Sequence, residues 1–409
     1  MAVINYFIFL ICLVLKIIPF SNSLENDYKT FSDNNIVLAK RQSNYNKDII
    51  SKTVNNLSIR NKRQIGLKEF YPWKLPIPYH IEANIDKRVI FEVIKQIRMQ
   101  TCLTFTYFPT PVNKLLGIRY KYAEFCDKNP GRLTSISWQD IYVNDKCKKI
   151  GYIFRETLRL LGLVYEHQRK CRDNYVHIIP QHFSRFSSIY FSVLTNDVFG
   201  NMQTPYDYGS VMHPDGKFLG NLNEETILPV YPFYKKTMGQ LYYPSFIDFK
   251  RINSFYCLKK CLIKIKCFHG GYPDPNICAV CKCVTGFTGM FCEKFQRPTR
   301  KCPSSILEAT HRHNHLMNHG IKNCSYLIKA PKNNHVEVRV LYAIFDPPKR
   351  ICDPFNSLEI KFMKDKTTTG VRLCGFVTNF TIRSMDSCMM LYFNSKNANN
   401  KFFLKYTKH

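Results

Sequence analysis

Hydrophobic residues recur at helical spacing in two segments of the chain. Over residues 86–100 the apolar positions follow i, i+3 and i+4 steps, which predicts an amphipathic helix capped by Asp86. A second helix is predicted over residues 148–161. Strands are predicted before the first helix and between the two, at residues 73–81, 101–108 and 132–143. This mixture of elements predicts an α+β fold.

The longest apolar run lies at the N-terminus, over residues 2–15, where only Asn5 and Cys12 interrupt it. It is shorter than the roughly 20 residues needed to span a bilayer, and small residues follow at Ser21 and Ser23. We therefore expect a signal peptide over residues 1–23 and secretion of the rest. No other segment of the sequence approaches transmembrane length.

Residues 24–63 are polar, rich in Asn and Lys, and weakly patterned. They end in Arg60-Asn61-Lys62-Arg63, a basic site that suits a processing protease. We interpret them as the propeptide of a zymogen-like precursor, with the mature chain beginning near Gln64.

Cysteine usage favours an oxidising compartment. The chain has 17 cysteines, and removal of Cys12 with the signal peptide leaves 16, an even number. Six of them crowd into residues 261–292, a segment too short to bury a stable core without disulfides. Sequons at Asn56, Asn323 and Asn379 are weak further signs of secretion.

The net charge of +29, from 59 Lys+Arg against 30 Asp+Glu, is spread through every region. Two interpretations stay open. The surface could attract acidic glycans, cell surfaces or nucleic acid, or the charge could be a compositional habit without a partner. For an extracellular protein, acidic glycans are favoured over nucleic acid.

The segment Gly151–Val176, GYIFRETLRLLGLVYEHQRKCRDNYV, carries the most specific pattern in the chain. It resembles the zinc-site helix of the astacin metallopeptidases, HExxHxxGxxHExxRxxRDxYV. Glu156 matches the general base, while Arg155, Arg159 and Tyr165 stand where the family has its three histidine ligands. The other matches are Gly162, Glu166, Arg169, Arg172, Asp173, Tyr175 and Val176.

These replacements remove the metal chemistry that the resemblance would imply. In such a hydrolase, zinc activates a bound water and polarises the scissile carbonyl. A guanidinium has five N–H donors and no acceptor, so Arg155 and Arg159 cannot bind Zn²⁺ as ligands. Tyr165 would need to be a phenolate, and one ligand falls short of the usual three. We expect no cofactor, with Glu156 as a vestigial general base.

Two further positions resemble the family. Residues Ser210–Pro214, SVMHP, match the Met-turn SxMHY, with Met212 kept and Pro214 in place of the tyrosine that approaches the metal. Glu166 stands where the family's glutamate receives the buried mature N-terminus. The resemblance implies the same partner for Glu166 here.

The order of motifs implies three modules. Residues 64–258 would form a metzincin-like peptidase domain of two subdomains with a mixed sheet and long helices, residues 261–292 an EGF-like module, and residues 302–409 a β-sandwich CUB domain. Asn356 stands where many CUB domains have a calcium-binding aspartate, so we expect no calcium. The implied disulfides are Cys102–Cys257, Cys126–Cys147, Cys261–Cys278, Cys267–Cys281, Cys283–Cys292, Cys302–Cys324 and Cys352–Cys374.

Some side chains are open to more than one interpretation. Cys171 and Cys388 could pair with each other, pair between chains or stay free. The pair Arg155 and Arg159 could grip a carboxylate or sulfate in the cleft, or pair with Glu156 and fill the space left by zinc. A histidine run could bind a transition metal weakly or form a solvated loop. Its members are His311, His313, His315 and His319.

Together these features predict a secreted astacin-like metalloendopeptidase homologue that binds extracellular peptide, matrix protein or acidic glycan without cutting it. The alternative is an active zinc-dependent endopeptidase with an altered metal site, built from Tyr165, His167 and Glu156. Otherwise His167 and His213 are expected to be structural. A decaying gene fits the same losses, although the retained cysteines argue against it.

Overall fold

The computed structural model describes residues 72–124, 126, 137–194 and 204–409. The predicted signal peptide (1–23), the propeptide (24–63), the mature start near Gln64 and the sequon at Asn56 lie outside these residues. Within the described part of the chain, no helix combines the length and the apolar character needed to cross a membrane.

A four-stranded parallel sheet forms the first lobe of the peptidase-like domain. Its order is β2-β1-β3-β4. Strand β3, with sequence IRYKY, was not predicted, because its outward positions are charged and its alternation is short. The strands are β1 Ile77–Ile81, β2 Phe105–Tyr107, β3 Ile118–Tyr122 and β4 Gln139–Val143.

Three helices pack against this sheet and its core. Helix α1, Lys87–Gln100, buries the predicted apolar stripe, and the Asp86 side chain accepts a hydrogen bond from the Arg88 backbone N–H, which confirms the helix and its cap. Helix α2 is Ile150–Leu160 and helix α3 is Phe246–Tyr256. A disulfide between Cys102 and Cys257 joins the chain after α1 to the end of α3.

The second lobe is mostly loops and short helical turns between α2 and α3. Its strands β5, Val176–Ile178, and β6, Ile227–Pro229, pair antiparallel. The described sheets of the peptidase-like domain therefore include both parallel and antiparallel pairings. A second disulfide, Cys126–Cys147, lies in the first lobe.

Residues 261–292 are held by three disulfides, Cys261–Cys278, Cys267–Cys281 and Cys283–Cys292. Regular structure in this segment and in the residues up to Phe295 is limited to two-residue strands, because a segment this short buries little apolar surface. These strands are β7 Tyr272–Pro273, β8 Cys281–Lys282, β9 Phe287–Thr288 and β10 Lys294–Phe295.

From residue 306 the chain forms the β-sandwich that the resemblance implied, which confirms the fold class. One sheet has the order β11-β13-β18-β15-β16 and the other β12-β19-β14-β17. Disulfides join Cys302 to Cys324 and Cys352 to Cys374. The strands are β11 Ile306–Glu308, β12 Asn314–His319, β13 Lys322–Lys329, β14 Val336–Phe345, β15 Ser357–Lys361, β16 Val371–Leu373, β17 Gly375–Arg383, β18 Cys388–Ser395 and β19 Lys401–Lys408.

The core of the second lobe is continuous with the core of the sandwich. Tyr208 stacks on Tyr234 with ring centres 4.1 Å apart, and Tyr234 packs against Phe362 at 5.9 Å. The Thr369 backbone N–H donates to Asp207 Oδ1 (3.0 Å), and the Tyr234 hydroxyl donates to the Thr369 carbonyl (3.2 Å). The sandwich and the second lobe of the peptidase-like domain therefore share one hydrophobic core.

Candidate functional site

Helix α2 carries three of the residues that the sequence singled out, Arg155, Glu156 and Arg159. Its apolar face lies in the core of the first lobe. The chain leaves the helix through Gly162, whose φ of 106° lies in the left-handed region that favours glycine. The Trp73 indole N–H donates to the Leu160 carbonyl (2.6 Å) and fixes this end of the helix.

The Arg155 guanidinium is directed at the Met-turn. Its Nε donates to the Val211 carbonyl (2.6 Å) and its Nη2 to the His213 carbonyl (3.0 Å), while the residue is only 9% exposed. These two carbonyls flank Met212, which is fully buried. Arg155 thus joins α2 to the Met-turn through two buried hydrogen bonds, a role that neither sequence-based interpretation anticipated.

Tyr165 and Arg159 lie beside the hydrogen bonds that join Arg155 to the Met-turn. The Arg159 guanidinium carbon is 4.0 Å from the centre of the Tyr165 ring, a cation–π contact. The Tyr165 hydroxyl donates to Glu156 Oε1 over 3.4 Å, a long hydrogen bond. Burial, and then the charge of Glu156, raises the pKa of Tyr165 to about 12. Near neutral pH the phenol keeps its proton.

The Met-turn is held from its other side by Asp248 on α3. Asp248 accepts from the Ser210 hydroxyl (2.6 Å) and from the Val211 backbone N–H (3.0 Å). It also forms a capping box with Ser245 at the start of α3. Burial raises the pKa of Asp248 to about 6, although the hydrogen bond from Ser210 opposes that shift. The Ser-x-x-Asp pattern at Ser245 could have revealed this residue from sequence.

Glu166, the expected partner of the mature N-terminus, is fully buried between two arginines. It accepts from Arg251 Nη1 (2.7 Å), from Arg169 Nη1 (2.9 Å) and from the Asp207 backbone N–H (3.1 Å). Burial alone would raise the pKa of Glu166, but the two guanidinium groups hold it below the usual value. Gln64 lies outside the described residues, so its expected contact with Glu166 stays a prediction.

His213 and His167 are both buried, and both rings already have partners. His213 Nδ1–H donates to the Pro214 carbonyl (2.7 Å), so its Nε2 accepts from the Tyr206 hydroxyl (2.7 Å). Burial lowers the pKa of His213 to about 4. His167 Nε2–H donates to the Tyr190 carbonyl (2.8 Å), and burial lowers its pKa well below the usual value. Both imidazoles are therefore neutral structural groups.

These residues do not fit a zinc ion. Arg155 and Arg159 offer donors and positive charge where a lone pair is needed, and the Tyr165 phenol is protonated. Of the alternative set, His167 offers only the Nδ1 lone pair, because its Nε2–H donates to a backbone carbonyl. With the Tyr165 phenol protonated, this set falls short of the three protein ligands that zinc needs. Among the described residues, no group of three or more His, Cys, Asp and Glu side chains is arranged to hold a metal ion.

The remaining sequence-derived candidates do not gather at this site. Cys171 and Cys388 are both free thiols and are not joined to each other. His315 and His319 are exposed and lie on the same, outward face of strand β12. Asn356 is buried and accepts from Asn400 Nδ2 (2.7 Å) and the Lys396 backbone N–H (3.0 Å).

Comparison with known proteins places this geometry in a family. Residues 65–257 match the family model of the Astacin peptidases. Zinc metalloproteinase nas-34 of Caenorhabditis elegans is 29% identical over 356 residues, covering 85% of this chain and 58% of that protein. Zinc metalloproteinase dpy-31 of Brugia malayi is 30% identical over 364 residues, covering 84% and 60%. The chain therefore spans less than two thirds of the length of these relatives.

One solved structure is less similar to this chain than these relatives are, and it matches a smaller part of the chain. High choriolytic enzyme 1 of the medaka fish Oryzias latipes, a hatching enzyme zinc-protease, is 26% identical, with a TM-score of 0.39 and coverage of 44% of this chain and 88% of that one. The family match and the sequence relatives carry the assignment. Residues 65–257 of the chain therefore form a domain that belongs to the astacin family.

Proposed function

We propose that this chain is a secreted astacin-family protein that has lost zinc-dependent hydrolysis and acts by binding extracellular peptide or matrix ligands. One observation carries the proposal: Arg155, at the first ligand position, donates to the Val211 and His213 carbonyls. An active site would need an imidazole lone pair at this position. Here the position holds the Met-turn by hydrogen bonds.

The other catalytic positions support the same conclusion. Glu156 is 2% exposed and receives the Tyr165 hydroxyl, so the former general base is buried beside a protonated phenol. Pro214 offers no donor to a tetrahedral intermediate. Seven disulfides among the described residues suit a protein that folds in an oxidising, secretory compartment.

Binding without cutting is supported by the sheet. Among the described strands, β4 lies at one edge of the four-stranded sheet and pairs with β3 only. An edge strand presents backbone N–H and C=O groups to which an extended peptide can add as a further strand. Retention of such an edge, with the catalytic groups replaced, favours peptide capture.

The decisive experiment measures zinc content and casein hydrolysis, with and without chelator, on the full chain. We expect zinc well below one per chain and no chelator-sensitive hydrolysis. A background carrying His311→Gln, His313→Gln, His315→Gln and His319→Gln removes the histidine run from the zinc count. In that background, Arg155→His/Arg159→His/Tyr165→His restores three ligands and shows that the assay detects zinc at α2.

Near-equimolar zinc that survives dialysis of the wild type would overturn the proposal and return an active peptidase with an altered site to first place. The proposed binding of extracellular peptides is tested by equilibrium dialysis against gelatin-derived peptides. A chain that neither cuts nor retains such peptides would refute capture by the peptidase-like domain.

A further inference from the structure

A surface outside the site described above has the composition of a binding site for an acidic polysaccharide. It is the outer face of the sandwich sheet β12-β19-β14-β17. Alternate side chains of a strand point to opposite faces of the sheet, and the burial pattern identifies the outward set. We call this surface the basic sheet face and define it by His315, Arg339, Tyr342, Lys401, Phe403 and Lys405.

The strand register brings the cations of this face together. Lys405 on β19 stands directly opposite Arg339 on β14 and, on its other side, opposite His315 on β12. Side chains opposed in this way have Cβ atoms about 4.5–5.5 Å apart, and like charges at that separation destabilise a sheet. A bound polyanion would relieve this repulsion.

Aromatic rings lie between the cations. Phe403 follows Lys401 and precedes Lys405 on the same side of β19, since residues at i, i+2 and i+4 share a face. Its ring centre is 5.9 Å from that of Tyr342 and 5.5 Å from the His315 ring, which stacks on it at 19°. The half-buried Phe403 and Tyr342 rings form an apolar strip with positive charge on either side.

Acidic side chains are nearly absent from this face. Glu337 faces outward on β14, but Arg383 on the neighbouring strand donates to it over 3.2 Å. Asp346 lies at one end, in an open depression shared with His319 and Lys401. Within the described residues, Arg339 and Lys405 take part in no ion pair, so their charge is available to a ligand.

We propose that the basic sheet face binds a sulfated or carboxylated polysaccharide. The apolar faces of sugar rings would lie on Phe403 and Tyr342, and the anionic groups would pair with Arg339, Lys401 and Lys405. The disulfide-bonded fold favours an extracellular glycan over single-stranded nucleic acid, which also combines rings with negative charge. This inference does not depend on whether residues 65–257 hydrolyse peptides.

The test uses the full chain with a heparin octasaccharide, the desulfated octasaccharide and a single-stranded oligonucleotide of matched charge. We expect the sulfated octasaccharide to bind most tightly, with an affinity that falls as salt rises. Arg339→Ala/Lys401→Ala/Lys405→Ala should weaken binding roughly tenfold, since three exposed ion pairs of modest energy are lost.

A matched control removes the same charge elsewhere. Arg297→Ala/Arg300→Ala/Lys301→Ala changes three exposed cations in the segment before the sandwich and should alter affinity by less than about twofold. Phe403→Leu keeps an apolar side chain and should weaken binding a few-fold without changing its salt dependence. Equal losses in the two triple variants, or an oligonucleotide that binds as tightly as the octasaccharide, would overturn the proposal.

Discussion

Replacing Arg155 by methionine tests whether the Arg155 guanidinium stabilises the fold by joining α2 to the Met-turn. The substitution keeps an unbranched, mostly apolar side chain in the same space on α2. It removes the two N–H groups that donate to the Val211 and His213 carbonyls. The fold should then lose the link between α2 and the Met-turn.

The magnitude follows from those two hydrogen bonds. A buried polar group left without its donor costs about 1–3 kcal/mol, so two carbonyls would cost about 2–6 kcal/mol. Relief from burying a charge offsets part of this loss. We expect a net destabilisation of about 3 kcal/mol, which for a domain of this size lowers the Tm by roughly 6–12 °C.

Tryptophan fluorescence during urea unfolding, with disulfides intact, provides the assay. The chain has two tryptophans, and both lie in the first lobe. Trp73 donates to the carbonyl of Leu160 at the end of α2, so it reports on the perturbed helix. Arg185→Met is the matched control, because Arg185 is exposed and contacts the Phe186 ring at 4.9 Å, worth at most about 1 kcal/mol. Equal unfolding midpoints for the two variants would refute the stabilising role of the Arg155 hydrogen bonds.

Three other perturbations test the surrounding network. In the folded protein His213 stays neutral down to about pH 4, whereas in the unfolded chain it is protonated near pH 6.5. As pH falls from 6.5 to 4, the unfolded state therefore gains a proton that the fold excludes, and stability decreases by about 3 kcal/mol. His213→Asn should flatten the pH dependence of the Tm between 6.5 and 4, and an unchanged slope would contradict the neutral assignment. Glu166→Gln breaks a buried cluster with Arg169 and Arg251 and should cost about 3–5 kcal/mol in urea unfolding, whereas the exposed Glu224→Gln should cost little. A Cβ at Gly209 would lie 2.3 Å from Thr369 Cγ2, so Gly209→Ala should loosen the contact between the second lobe and the sandwich. Limited proteolysis should then cleave the variant faster than the wild type. Adding Thr369→Gly should restore resistance, and failure of that rescue would mean that the contact is not the cause.

Local features were the most predictable from sequence. Helix α1 and its Asp86 cap were predicted because both depend on neighbouring residues and on a 3.6-residue period. Strand β3 was missed, because IRYKY places two cations at its outward positions and its pattern is only five residues long. The disulfide pairs came from family resemblance, since cysteine spacing alone leaves many pairings open.

The candidate site was predictable in composition and unpredictable in geometry. The family resemblance places Arg155, Arg159 and Tyr165 at the three positions where the family has its zinc ligands. The sequence left two roles open for Arg155, a grip on a ligand or a pairing with Glu156. The structure shows a third arrangement, with Met-turn carbonyls 56 and 58 residues away as the acceptors.

By itself, the sequence determined that Arg155 and Arg159, which the family resemblance places at ligand positions, offer no lone pair to a metal, because the donor chemistry of a side chain does not depend on the fold. Only the tertiary structure decided what those side chains contact. Arg251 meets Glu166 across 85 residues and Thr369 meets Asp207 across 162, contacts that arise when packing brings distant segments together. No local pattern encodes such contacts, since they depend on how whole layers pack and on which buried polar groups are left to be satisfied.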